Sequence, residues 1–125
     1  MILFRLMFFM SVLCMGFIGV GTLNAHAQAP VFFTDVPDVP LMAGLQELPD
    51  ETVEFYRPDG RVVEFFAAFA GVDQERVRAF YFQTLPQFGW HHAGGDRYFR
   101  TQEVLELSFD RSGDDGFLKI SIRPR

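Results

Sequence analysis

Two segments near the C-terminus alternate between apolar and polar residues, and this pattern limits the possible folds more than any other feature. The segments cover residues 103–110 and 117–123, and their apolar positions are Leu105, Leu107, Phe109, Leu118, Ile120 and Ile122. Successive side chains of a β-strand point to opposite faces, so each segment predicts a strand with one apolar and one polar face. Strands of this kind form antiparallel sheets that are covered on one side only.

A β-hairpin is predicted upstream of these strands. Residues 52–57 alternate with Val53 and Phe55 on one face. The sequence PDG at 58–60 then predicts a turn, because proline presets φ and glycine tolerates positive φ. The second strand covers residues 61–69, and its apolar face is formed by Val63, Phe65, Ala67 and Phe69.

One amphipathic helix is predicted between the hairpin and the C-terminal strands. Asp73 is suited to the N-cap, and we expect the helix to run to about Leu85. Its apolar stripe has the spacing of one helical face and consists of Val77, Phe80, Tyr81 and Leu85. Two short strands around a turn at 94–96 are expected after it. The predicted fold is α+β, an antiparallel β-sheet in the order β-β-α-β-β-β-β with one helix packed on one face.

Residues 1–27 have the layout of a cleaved signal peptide. Arg5 supplies the charged start, residues 6–20 are mostly apolar, and Ala25 and Ala27 form a small-x-small cleavage site. We expect cleavage after Ala27, or alternatively after Ala29, and a periplasmic protein. The other interpretation is an inner-membrane anchor through residues 6–23, which is short for a spanning helix.

Lipidation is not expected, although the chain has one cysteine. Cys14 lies in the middle of the apolar stretch and follows Leu13, where a lipoprotein signal needs a small residue. Membrane contact is therefore predicted only through the signal segment before cleavage. Since Cys14 is lost with the signal, the mature chain is expected to have no disulfide, no thiolate nucleophile and no cysteine metal ligand.

The charge balance argues against nucleic-acid binding. Eleven lysines and arginines stand against sixteen aspartates and glutamates, which gives a net charge of −5 without a basic cluster. Affinity for nucleic acid depends mainly on Lys and Arg contacts to phosphates, so we expect no such partner. We also predict no cofactor.

Residues 28–50 are predicted to form an extended arm, and residues 51–125 the folded domain. The arm contains prolines at positions 30, 37, 40 and 49, and proline fits neither a helix interior nor a central strand. Its apolar side chains indicate that the arm lies against its own domain or against a partner. Phe82 falls off the apolar stripe of the helix and either covers its flank or contacts a partner. The candidate interface residues are Phe32, Phe33, Leu41, Met42 and Phe82.

His91, His92 and Asp96 are the group that suggests ligand or metal chemistry. Histidine suits metal binding and proton transfer, and Asp96 lies across the predicted hairpin from the pair. Adjacent strand residues point to opposite faces, however, which favours two polar residues at a hairpin end over a shared metal site. A small ligand- or metal-binding enzyme-like domain at these residues is the alternative function.

No catalytic signature is found along the chain, and we predict that the protein is not an enzyme. None of its serines lies in a GxSxG turn, and its single Gly-Gly pair does not open a helix that could hold a phosphate. Asp110, Ser112 and Asp114 alternate like calcium ligands, but Ser121 stands where such a loop needs its closing glutamate. A solvated β-turn is the favoured interpretation there.

Two motifs resemble those of a group of small exported bacterial proteins of uncharacterised function. Members show a DVPLMPGL-like start and a helix that ends FYxxxLPxxGW. This chain has DVPLMAGLQELPD at 38–50, with Ala43 in place of the proline, and FYFQTLPQFGW at 80–90. The second motif is matched at Phe80, Tyr81, Leu85, Pro86, Gly89 and Trp90. The resemblance implies export and carries no established activity or catalytic residues.

The second motif also has a structural explanation. Leu85 ends the apolar stripe, Pro86 stops the helix and Gly89 turns the chain. Trp90 is then expected to return over the helix end and close the core.

The combined features predict a non-catalytic accessory or protein-binding domain of the periplasm or cell envelope. The export signal, the apolar arm and the missing catalytic motifs support this prediction. The expected partner is another envelope protein, contacted through the arm or through a face of the sheet.

Overall fold

The computed structural model describes residues 29–112 and 115–125, which form a seven-stranded sheet and one α-helix. Its elements are β1 (Leu45–Glu47), β2 (Val53–Arg57), β3 (Gly60–Ala70), α1 (Gln74–Thr84), β4 (His91–His92), β5 (Arg97–Arg100), β6 (Glu103–Ser112) and β7 (Asp115–Pro124). Short 3₁₀ helices occupy Pro49–Glu51 and Leu85–Phe88. The predicted signal peptide at 1–27, its anchor alternative and Asp114 lie outside the described residues.

The strands pair antiparallel in the order β1-β3-β7-β6-β5-β4, and β2 pairs with β3 on the same side as β1. This arrangement confirms the predicted α+β fold with an antiparallel sheet and one helix. It adds one strand to the predicted order, because β1 forms within the proline-rich arm. β1 has only three residues, too few to show an alternation, and its pairing with β3 buries Leu45 opposite Phe69.

The apolar side chains of four strands meet on one face of the sheet. Val63 of β3 lies opposite Ile122 of β7, which in turn lies opposite Leu105 of β6 and, one strand further, Tyr98 of β5. All four residues are buried. The helix and the arm complete this core with Val77, Tyr81, Leu85, Phe33, Val36 and Val39.

The helix begins and ends for local reasons. The Asp73 side chain caps it by accepting a hydrogen bond from the Glu75 backbone N–H at 3.2 Å. After the 3₁₀ helix, Gly89 adopts a left-handed conformation with φ of 86°, which glycine allows without steric cost. The next residue, Trp90, is fully buried.

The opposite face of the sheet is open and carries apolar side chains of its own. In the register of the hairpin, Val53 lies opposite Glu64 and Phe55 opposite Val62, so both point away from the core. About half of each side chain is exposed, 51% for Val53 and 50% for Phe55. Alternation indicated correctly that these two residues share a face, but only the register shows that the face is the open one.

None of the helices in the described part of the chain is long and apolar enough to cross a membrane.

Candidate functional site

The proline-rich arm lies against its own domain. Phe33 is 1% exposed, and its ring packs edge-on against Phe65 with 4.7 Å between the ring centroids. The Tyr81 hydroxyl of the helix donates a hydrogen bond to the Pro40 carbonyl oxygen at 2.9 Å. Burial raises the pKa of Tyr81, so its hydroxyl stays protonated and remains a hydrogen-bond donor to the Pro40 carbonyl oxygen.

An apolar groove of about 380 Å³ runs between the arm and the helix. We call it the arm groove; it is lined by Ala29, Pro30, Val31, Pro40, Leu41, Met42, Ala43, Leu45, Phe80, Thr84, Gln87 and Phe88. None of these described lining residues is charged. The two polar side chains are already engaged within the helical segment, because Thr84 donates to the Phe80 carbonyl oxygen and Gln87 to that of Gln83.

The structure distributes the five candidate interface residues over three environments. Leu41 and Met42 line the arm groove. Phe32 packs edge-on against Phe88 of the groove wall, with 5.4 Å between the centroids. Phe33 is part of the core and presents no free surface, whereas Phe82 is 55% exposed and packs against the His92 ring rather than lining the groove.

The FYxxxLPxxGW motif builds one wall of the groove and the core beneath it. Phe80 lines the groove, and Tyr81, Leu85 and Trp90 are buried. The Arg100 guanidinium lies over the Trp90 ring, 4.2 Å from its centroid, and donates to the Phe88 carbonyl oxygen at 3.1 Å. The Trp90 Nε1 is buried and finds no hydrogen-bond partner among the described residues.

A cluster of four charged residues, which the sequence analysis did not predict, joins the arm to the sheet. Asp38 of the arm accepts from Arg100 at 2.5 Å and lies 3.4 Å from Arg61. Glu103 binds the other side of Arg61 at 2.9 Å. Arg100 and Glu103 are close in sequence, but Asp38 and Arg61 come from distant segments, so no local pattern connects the cluster as a whole. The cluster balances two cations with two anions, which is typical of a structural ion pair network rather than of a reactive site.

The arginines control the ionisation of Asp38. Burial raises its pKa, but the hydrogen bond from Arg100 and the charges of Arg100 and Arg61 together hold the pKa below the ordinary value of 3.8. The ionised carboxylate therefore stabilises the fold above pH 3.8. This contribution is lost as the pH falls through the lowered pKa of the folded state.

We expect Asp38→Asn to lower the free energy of unfolding by about 1 kcal/mol at pH 7, since the side chain is partly exposed and solvent screens its pairs. The difference between the variant and the unmodified protein should shrink as the pH falls below 3.8. Urea unfolding at several pH values measures this difference in the free energy of unfolding. The Asp50→Asn variant, at an exposed position, is the control. A difference that stays constant with pH would show that Asp38 does not act through its charge.

His91, His92 and Asp96 do not converge in the structure. His91 lies beside Phe99 and His92 beside Tyr98, on opposite faces of the strand. The His92 Nε2 is 2.8 Å from the Gly95 carbonyl oxygen, and the Asp96 carboxylate accepts from the Arg78 Nε at 2.7 Å. Among the described residues, no three His, Cys, Asp or Glu side chains are placed to hold a metal ion.

A second depression, of about 520 Å³, lies on the open face of the sheet. Its lining mixes apolar residues with Glu51, Asp110 and Lys119. The arm groove differs from this depression in having no charged residue in its described lining. Its lining consists of apolar side chains and of polar groups that already make hydrogen bonds.

No family model, no curated protein and no solved structure matches this chain. The chain's own contacts are therefore the basis of the functional interpretation.

Proposed function

We propose that this protein is a non-catalytic accessory domain of the cell envelope that binds another protein through the arm groove. The observation that carries the proposal is an open apolar groove without a charged lining residue on a chain whose net charge is −5. Exposed apolar surfaces of this kind on small domains typically mark interaction sites.

The lining favours an apolar polypeptide segment as the occupant. Met42 offers a flexible thioether side chain that adapts to different apolar partners. Thr84 and Gln87 already donate within the helical segment, so recognition depends on burial of apolar side chains rather than on hydrogen bonds to these groups. A charged occupant would lose its hydration without a compensating partner.

The predicted export of the chain supports a partner in the periplasm or the envelope. An intact mass that matches residues 28–125 would establish cleavage after Ala27. A mass that includes residues 1–27 would favour the membrane-anchored alternative through residues 6–23. The resemblance to small exported bacterial proteins agrees with this location and stays a prediction.

The binding proposal is tested with point variants in the intact domain. Deletion of the arm is unsuitable, because Phe33 and Val39 belong to the core. The C-terminally tagged protein is cross-linked in the cell envelope, its partner is identified by mass spectrometry, and the affinity is then measured with purified components.

We expect Met42→Glu to weaken that affinity about tenfold or more, since a carboxylate would be buried against apolar groups. Phe82→Ser is the matched control, because it removes an exposed aromatic side chain that lies outside the groove lining. Equal affinity for all three proteins would contradict the arm groove as the site. Loss of binding only in Phe82→Ser would place the interface on that flank of the helix.

The ligand- or metal-binding alternative at His91, His92 and Asp96 gains no support from the geometry. Asp96 is engaged with Arg78, and the two histidines lie on opposite faces. We therefore propose no enzymatic function.

A further inference from the structure

We propose that the outer edge of β2 pairs antiparallel with β2 of a second copy of this chain, so that two sheets join into one. This inference is independent of the arm groove, which lies on the covered face of the sheet. It concerns the free edge and the open face.

β2 is an edge strand that exposes three apolar side chains along a free edge. It pairs with β3 on one side, and none of the described strands pairs with its other side. All five of its residues are exposed, including Val53, Phe55 and Tyr56, the last at 78%. The strand contains no proline, and exposed apolar edge strands are templates for pairing with another chain.

The sequence of β2 allows one self-pairing register. A two-fold axis perpendicular to the sheet keeps the open faces of both copies on the same side, so the centre of the pairing falls on a residue. A centre at Glu54 would place two carboxylates directly opposite each other, which is destabilising. A centre at Tyr56 would place Pro58, which has no N–H, opposite Glu54. A centre at Val53 or Arg57 would pair half of β2 with residues outside the strand, so only a centre at Phe55 uses the whole strand and avoids both problems.

The Phe55-centred register matches complementary groups across the interface. Phe55 lies opposite Phe55 of the second copy on the open face, where each ring is half exposed in the single chain. Glu54 lies opposite Tyr56, and these two side chains are already a compatible pair, since the Tyr56 hydroxyl donates to Glu54 within the strand at 3.0 Å. Aromatic and polar cross-strand pairs of this kind stabilise antiparallel sheets.

The charges near the ends of the strand are also compatible. Val53 lies opposite Arg57 of the second copy, and on its other side Val53 is paired with Glu64 of β3. Arg57 of one copy and Glu64 of the other thus lie on the same face with one strand between them, about 10 Å apart. Both already pair within their own chain, with Asp59 and Lys119, so their opposite charges add no repulsion across the interface. Both ends of the pairing have this arrangement because of the two-fold symmetry.

The expected dimer is weak. A five-residue strand pair with one aromatic contact is smaller than the standard interface of stable complexes, so the dimer should dissociate on dilution. Sedimentation velocity over a concentration series is the first measurement. A protein that stays monomeric at every accessible concentration would overturn the proposal and leave the edge for a strand of a different protein.

Two variants connect the self-association to β2. Phe55→Lys should weaken it about tenfold, because it replaces the central aromatic pair by two like charges. Phe117→Lys is the control, since Phe117 is an exposed residue of the open face that lies on the interior strand β7. An equal effect of both variants would show that the open face associates without strand pairing.

Disulfide trapping tests the register in a Cys14→Ser background, in which an introduced cysteine is the only thiol. Phe55→Cys should give a covalent dimer on mild oxidation, because residue 55 is opposite itself. Tyr56→Cys should not, because residue 56 is opposite Glu54, and opposed pairs are the ones that come within disulfide distance. Efficient trapping of Tyr56→Cys with none of Phe55→Cys would overturn the register.

Discussion

Trp90→Ala is expected to lower the free energy of unfolding by about 3–5 kcal/mol, the usual cost of removing a large aromatic side chain from a core. Trp90 has no exposed surface and ranks among the largest fully buried side chains. It follows the turn at Gly89, and its ring supports the Arg100 guanidinium that binds both Asp38 and the Phe88 carbonyl. Its removal should therefore loosen the cluster between arm and sheet as well as the core.

Urea denaturation followed by circular dichroism measures this effect, and Trp90→Phe is the comparison. Phenylalanine keeps an aromatic ring below Arg100 and leaves a smaller cavity. The indole Nε1 makes no hydrogen bond to the described residues, so its loss should cost little. We expect the free energy of unfolding of the phenylalanine variant to be intermediate between those of the alanine variant and the unmodified protein. An alanine variant within 1 kcal/mol of the unmodified protein would contradict the role of Trp90 as a central core residue.

Tyr81→Phe is expected to cost about 1–3 kcal/mol, because it leaves the Pro40 carbonyl without its buried donor. Tyr81 has no exposed surface, and its hydroxyl links the helix directly to Pro40 of the arm, which lines the arm groove. Backbone amides of the arm around Leu41 should consequently exchange with solvent faster than in the unmodified protein.

Tyr98→Phe is the matched control for this variant. Tyr98 is also a core residue, at 1% exposure, but its hydroxyl makes no hydrogen bond within the described part of the chain and is not a buried unpaired group. We expect it to be nearly neutral in the same unfolding experiment. If both variants lost the same stability, the hydrogen bond between Tyr81 and Pro40 would not be what holds the arm. Hydrogen exchange of the arm then distinguishes a local loosening from a general loss of stability.

The local elements of this fold could be predicted because their signals are short-range. Asp73 caps the helix that the apolar stripe predicts, and the strands predicted from alternation at 103–110 and 117–123 correspond to β6 and β7. β1 could not be predicted, since its three residues become a strand only through pairing with β3. A pairing that depends on residues twenty or more positions away leaves no local pattern.

The candidate sites also divide into those that a local sequence pattern indicated and those that depend on distant contacts. The FYxxxLPxxGW motif indicated a helix end that closes the core; Trp90 and Leu85 are buried there, and Phe80 lines the arm groove. The sequence also predicted that His91 and His92 point to opposite faces, as the strand register requires. The charged cluster around Asp38 was missed, because charge pairs between distant segments have no characteristic spacing.

The sequence by itself determined the fold class, the positions of the hairpin and the helix, and the expectation of an exported, acidic chain. Only the tertiary structure decided that the arm contributes Phe33 and a strand to the core, and that Val53 and Phe55 are on the open face. The physical reason is that periodicity records which side chains share a face. Which face is buried depends on what packs against it, and distant parts of the chain supply that contact.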